Sequence, residues 1–307
     1  MNRPASTIDE RARRGLWFGL AAYGLWGVLP IYFKALETVP PVDIVAHRII
    51  WSLPFLALLL SFAAGWRQVR EALASRRTLA LLLLTATLIA INWLLYVYAV
   101  VTGRILAGSL GYYLNPLMNV LLGRLVLKER LSGLQWAAVA IAAAGISALA
   151  IGALGQLWIS LALAISFGSY GLLRKIAPVD SVAGLAIETG LLFPIAAIWL
   201  AWGLAAGEPS FGTETSITAL LVLGGLVTMT PLLLFTGAAR RLRYSTLGML
   251  QFIAPTLQFL IAVLMYGEAF TTAHAVAFGS IWVALGLYVT AIARDARDAR
   301  ASVTVPE

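Results

Sequence analysis

His47 and Arg48 interrupt an apolar stretch, "VDIVAHRIIWSLPF", that otherwise suits a lipid environment. Arg48 lies about six residues into that run, roughly 9–10 Å deep at 1.5 Å rise per residue. A charge there costs at least ~2.5 kcal/mol on insertion scales. Two roles fit it. The side chain could snorkel outward to phosphate or to Asp43, or it could face a cavity and pair with an acid or hold an anionic solute group. Glu188 sits similarly far from the other end of its own run. Equal depths from opposite faces of a ~30 Å core leave roughly 10 Å between the two charges along the membrane normal. They are therefore expected to share one wet cavity without a direct bond. His47 shares a helix face with Asp43. It is a candidate proton relay near neutral pH, or else simply bonds a backbone or carboxylate group.

Further polar residues cluster around two prolines. Tyr112, Asn115 and Asn119 flank Pro116 at spacings of three and four, which puts them on one helix face, and Gln251 and Gln258 stand at matching positions around Pro255. Each proline removes a backbone hydrogen bond and frees a carbonyl one turn back. Such helix breaks persist at membrane depth where protein or a wet cavity satisfies the freed group. The amides are expected to line a cavity; interhelical ties worth ~0.6 kcal/mol each are the alternative. Asn92, Trp93 and Tyr96, with Trp26 and Tyr170, add flat faces and single donors for stacking or packing. His274 belongs in or beside a loop, in contact with solvent.

These residues need elements to hold them, and the composition says which kind. Hydrophobic residues make up 61% of the 307 and charged ones 12%, with a mean hydropathy of +0.88. Soluble chains usually carry about a quarter charged residues, so this is an all-α integral membrane protein. With no cysteine, thiolate metal sites are excluded, two histidines leave little for an imidazole site, and no metal or cofactor is expected. A helix spans the bilayer core with about 20 apolar residues. Ten runs qualify: Gly15–Leu36, Val42–Ala64, Leu79–Val101, Leu106–Leu127, Leu134–Ile151, Gln156–Leu173, Val182–Ala206, Ile217–Ala239, Ser245–Tyr266 and Ala273–Ala293. The run after the basic start "MNRPASTIDERARR" is too long for a signal-peptide core and has no small-residue cleavage site nearby, so it reads as a retained first helix. The Ala-rich fifth run, "WAAVAIAAAGISALAIG", reads as a close packing surface.

An even number of spans puts both termini on one side. Of the 22 Lys and Arg residues, only Lys34, Arg104 and Arg48 fall elsewhere than on that side. The positive-inside bias makes it cytoplasmic. The net charge of +8 is thus a topology signal, and nucleic acid is not a partner.

The chain also repeats itself. "YGLWG" at 23–27 returns as "FGSYG" at 167–171, and "YYLNP" ending at Pro116 returns as "QFIAP" ending at Pro255. The same spacing carries Glu129 to Glu268 and Arg104 to Arg243, and one more residue carries Pro54 to Pro194 and Arg48 to Glu188. Five spans per half force the second half upside down, which is the logic of alternating access about a central site. The organisation expected is a basic arm (1–14), a first five-helix repeat (15–151), an inverted second repeat (152–293) and a tail (294–307).

Over about residues 15 to 293 the chain resembles the drug/metabolite transporter superfamily with two EamA-type domains. Its stretches "AAYGLWGVLPIYFKAL", "HRIIWSLPF", "NWLLYVYAV", "SLGYYLNPLMNVLLG" and "RLRYSTLGMLQFIAPTLQFLIAV" are similar to the RarD-like branch. The resemblance implies a ten-helix permease of the bacterial inner membrane that exports small metabolites or drugs, amphenicol-like compounds among them. Its partners are then a small-molecule substrate and the lipid bilayer; protons, a counter-transported solute and a homodimer stay open. A membrane-embedded enzyme, such as a Ser-based protease or a lipid transferase, is the rival class, but with no Cys, no mid-span Asp and no second buried His a catalytic site is hard to assemble. A channel or receptor is a further alternative.

Overall fold

Uninterrupted apolar sequence forces the backbone to satisfy its own hydrogen bonds, and in lipid a helix does so within one segment. The structure, a computed structural model, describes residues 5–62, 65–102, 104–150, 155, 157–267 and 272–301. Among the described residues twelve helices follow one another: α1 (Ala5–Lys34), α2 (Pro41–Phe62), α3 (Trp66–Ala74), α4 (Arg76–Val101), α5 (Ile105–Leu125), α6 (Gly133–Ala150), α7 (Leu157–Ile176), α8 (Ser181–Ala205), α9 (Thr215–Ala239), α10 (Tyr244–Gln251), α11 (Ile253–Tyr266) and α12 (Thr272–Ala301). Eight rods among the described residues are long and apolar enough to cross a membrane, with α10 and α11 counting together as Tyr244–Tyr266. The other two expected spans are α5, with 21 residues, and α6, whose described apolar part ends at Ser147.

Several boundaries move for physical reasons. Residues 5–14, expected as an arm, continue α1 as charged helix, and Glu10 pairs with Arg14 at 2.6 Å one turn away. The basic 66–74 stretch forms amphipathic α3, which buries Ala72 against the bundle. α12 likewise runs on to Ala301. Residues 1–4, 151–154 and 302–307, and with them the boundary between the expected halves, lie outside the described residues.

The two prolines behave differently. Near Pro255 the rod is interrupted at Phe252, whose N–H donates to the Met249 carbonyl at 3.3 Å in a tightened turn. Pro116, by contrast, lies inside a continuous α5. The break expected there does not form, because the preceding and following turns carry the helix past the one missing donor.

The first turns of α1 and the end of α7 meet the end of α9, where Arg11 Nη2 donates to the Arg240 carbonyl at 3.0 Å and Lys175 Nζ to the Ala239 carbonyl at 2.6 Å, so basic residues gather at one end of the bundle, its basic face. α6 lies against α12, α5 against α7 and α10, α2 against α8 and α9, α1 against α9 and α11, and α4 against α7 and α8. The α6–α12 seam fits the small-residue reading of the fifth run: a side-chain carbon at Gly145 would collide with Ser280. At the basic face, the Glu129 carboxylate accepts from Tyr244 N at 2.6 Å and Ser245 N at 3.0 Å, capping α10. Its expected counterpart, Glu268, lies outside the described residues.

Candidate solute-binding site

Arg48 is half-buried on α2. Its Nε donates to Thr228 Oγ1 on α9 at 2.5 Å, and its guanidinium stands 5.5 Å from the ring centres of both Phe33 and Trp93. The Tyr32, Tyr96 and Tyr112 hydroxyls are close enough to interact with its charge. Tyr96 and Tyr112 pack edge to face at 5.4 Å, while Tyr32 donates to the Leu220 carbonyl at 3.0 Å. Gly224 opens the space, because a side-chain carbon there would meet the Tyr32 hydroxyl at 2.7 Å and Arg48 Cγ at 3.1 Å. Next to it, Gly225 lets α9 touch the backbone of α2 at Trp51.

No carboxylate lies within ion-pair distance of Arg48 among the described residues. Asp43, the outward partner considered above, instead accepts from Trp199 Nε1 at 2.8 Å and from Ser210 Oγ. What remains is a cation set among aromatic faces. Its two terminal nitrogens make no hydrogen bond to described groups, leaving them able to take an acceptor.

Glu188 is the main correction. It is buried against Arg174, with Nε and Oε1 3.4 Å apart, and accepts from Thr85 Oγ1 at 2.5 Å and from the Tyr170 hydroxyl at 3.4 Å. Arg174 Nε makes the ion pair without a well-directed hydrogen bond, and Nη2 donates to the Asp180 and Ser181 carbonyls. Arg174 is fully buried, not a loop charge, since α7 runs on to Ile176 and turns it inward. Gly184 makes room, as any side-chain carbon there would overlap the guanidinium. Glu188 is therefore spoken for, and Arg48 and Glu188 do not form the expected pair across a cavity.

Other candidates divide in the same way. Tyr170 is fully buried in an aromatic core with Phe167 and Phe235, and Trp26 packs on Tyr23, Phe167 and Phe235. Asn92 ties α4 to α7, donating to the Leu163 carbonyl and Ser166 Oγ at 3.0 Å each. Asn119 donates to Gln251 at 2.8 Å, both side chains buried, where Gly248 lets α10 approach the Pro116 carbonyl. Gln258 donates to the Trp26 carbonyl at 3.0 Å. These four amides hold helices together. Asn115 differs: it is buried with neither amide atom bonded within the protein. His47 lies under Phe211, with rings 5.4 Å apart and Nδ1 unpartnered, and does not reach Asp43. His274 is half-buried in the first turn of α12, its ring 5.9 Å from that of Phe259. Among the described residues no cluster of His, Asp and Glu could hold a metal.

Residues 13–151 match the EamA-like transporter family. The chain is 46% identical to an "Uncharacterized transporter" of Vibrio cholerae over 92% of this chain and 94% of that one. It is 45% identical to "Protein RarD" of Salmonella typhimurium, over 91% and 96%. It is 34% identical to "Chloramphenicol-sensitive protein RarD" of Pseudomonas aeruginosa, over 89% and 92%. A solved crystal structure of a protein superposes with a TM-score of 0.68, covering 89% of this chain and 96% of that one. At 20% identity that match speaks for the fold alone. The family is one of transporters, not enzymes.

Proposed function

The chain belongs to the EamA-like transporter family, in its RarD-like branch, and on that premise we propose a secondary permease that exports small solutes by alternating access. The observation that carries the reading is Arg48, a membrane-embedded cation with aromatic walls and no acid within ion-pair distance among the described residues. Such a site suits a solute combining a flat ring with an acceptor group such as a carboxylate or nitro oxygen. Amphenicols carry a nitroaryl ring, and one relative is named for chloramphenicol sensitivity. Asn115 supplies a further donor and acceptor near Tyr112.

The alternating-access part rests on two inverted halves. Exchange α1 with α7, α2 with α8, α4 with α9, α5 with α10–α11 and α6 with α12. The helix contacts then map onto one another: α1–α9 becomes α7–α4, α1–α11 becomes α7–α5, and α2–α9 becomes α8–α4. Asn119–Gln251 serves as the closed gate at the basic face. Tyr112 and Gln258, at the matching repeat positions, close the other end in the alternate state. The basic face is the cytoplasmic one, with both termini on it.

The test is vectorial movement. Sealed vesicles containing the purified protein should accumulate or release a radiolabelled amphenicol on one side only, above protein-free vesicles. Equal distribution with and without protein, across nitroaryl and aryl carboxylate solutes and with or without a pH gradient, contradicts this substrate class.

A further inference from the structure

We propose that the cleft between the first turns of α1 and the α9–α10 connection holds the phosphate of an anionic phospholipid headgroup. Glu10, Arg11, Arg14, Arg240 and Arg241 line it and enclose about 420 Å³. Arg14 takes Glu10, the one acid among the described lining residues, at 2.6 Å. Arg11, Arg240 and Arg241 have no carboxylate within ion-pair distance among the described residues.

Carbonyl contacts fix these three side chains without neutralising them. Arg11 Nη2 donates to the Arg240 carbonyl at 3.0 Å, Arg240 to the Val179 carbonyl, and Arg241 Nη1 to the Gly237 carbonyl at 2.8 Å. The Arg241 guanidinium also rests over Phe18, 5.0 Å from the ring centre. Burial, then the charges of Arg11 and Arg14, pull its pKa down from the ordinary value. Like charges held this close favour an anion among them, and guanidinium groups match phosphate oxygens in pairs.

Depth and surroundings favour a lipid over a free anion. α1 turns apolar at Gly15 and the apolar run of α9 ends at Ala239, so the cleft sits where hydrocarbon gives way to headgroups. Trp17, one turn on from Arg14, is 66% exposed, and Leu16 and Leu20 are exposed beside it. They offer apolar surface for acyl chains beneath the phosphate. Basic pockets between helices at a membrane face are a recurrent way to hold anionic lipid.

The probes are phosphatidylglycerol and inorganic phosphate, added to protein purified in phosphatidylcholine nanodiscs, with the melting temperature as readout. Replacing part of the phosphatidylcholine by phosphatidylglycerol should raise the midpoint by several degrees, and inorganic phosphate should leave it unchanged. R14Q/R241Q should lose the rise. R67Q/R70Q, which removes the same charge from α3, should keep it. If the first double variant does not purify, R14Q alone, at an exposed position, should show a smaller rise than the wild type. A rise that survives in R14Q/R241Q, or that is undiminished in R14Q, or that vanishes equally in R67Q/R70Q, overturns the assignment. So does a rise that inorganic phosphate reproduces.

Discussion

A half-buried cation and a buried ion pair set the residue-scale chemistry. Arg48 stands alone among aromatic rings, whereas Glu188 and Arg174 neutralise each other. Breaking a buried pair from one side typically costs 3–5 kcal/mol, because the survivor is left uncompensated. Arg174→Met and Glu188→Met should each lower stability by about that much, and the double variant should recover most of the loss. The Arg48→Met/Glu188→Met pair shares no contact and should be additive within ~0.5 kcal/mol. Unfolding of the detergent-solubilised variants in denaturant measures both cycles; coupling through Arg48 instead of Arg174 would reverse the assignment. Arg48 itself was legible, since a charge inside an apolar run stands out, and Trp93, Tyr96 and Tyr112 were candidates by type and spacing. Thr228, Tyr32 and Phe33 left no such signal. Arg174 misled because, beside Lys175 at the end of a span, it imitates an ordinary flanking charge. The one hint was Gly184, a turn before Glu188, which clears the space Arg174 fills.

Small residues decide at the scale of helices where the rods meet. Gly225 sits where α9 presses on the α2 backbone at Trp51, and α2 carries Arg48 one turn earlier. Gly225→Ala would wedge the two rods apart, and overpacking of this kind costs ~1–3 kcal/mol. It should also displace Arg48 from Thr228, so a measured loss of stability should come with weaker solute transport. Gly190→Ala in α8, with nothing within 4 Å of the added carbon, should be neutral or slightly stabilising. Equal behaviour of the two variants would mean the α2–α9 seam yields freely. The rods themselves were readable from apolar run length. Their ends were not, because charged continuations such as residues 5–14 and 294–301 are helical without being apolar. Amphipathic α3 escaped notice because its nine residues are basic on one side and bury little more than Ala72.

Viewed whole, the molecule wraps one candidate site in helices from both ends of the chain: Phe33, Arg48, Trp93 and Tyr112 come from α1, α2, α4 and α5, and Thr228 from α9. Weak sequence echoes between the two proposed halves, such as Pro116 to Pro255 at constant spacing, drew attention to residues on both sides of this site. They misplaced Glu188, because matching positions in two halves need not keep matching partners. The measurement closest to the central proposal is amphenicol transport by Arg48 variants in sealed vesicles. Loss of a charge-assisted contact worth ~1.5–3 kcal/mol corresponds to roughly 10- to 150-fold weaker binding. Arg48→Met should therefore raise the half-saturating concentration by at least about tenfold at unchanged protein level, with Arg48→Lys intermediate because a point charge replaces the planar fork. Wild-type transport by Arg48→Met, at wild-type affinity, would contradict a solute-binding role for Arg48.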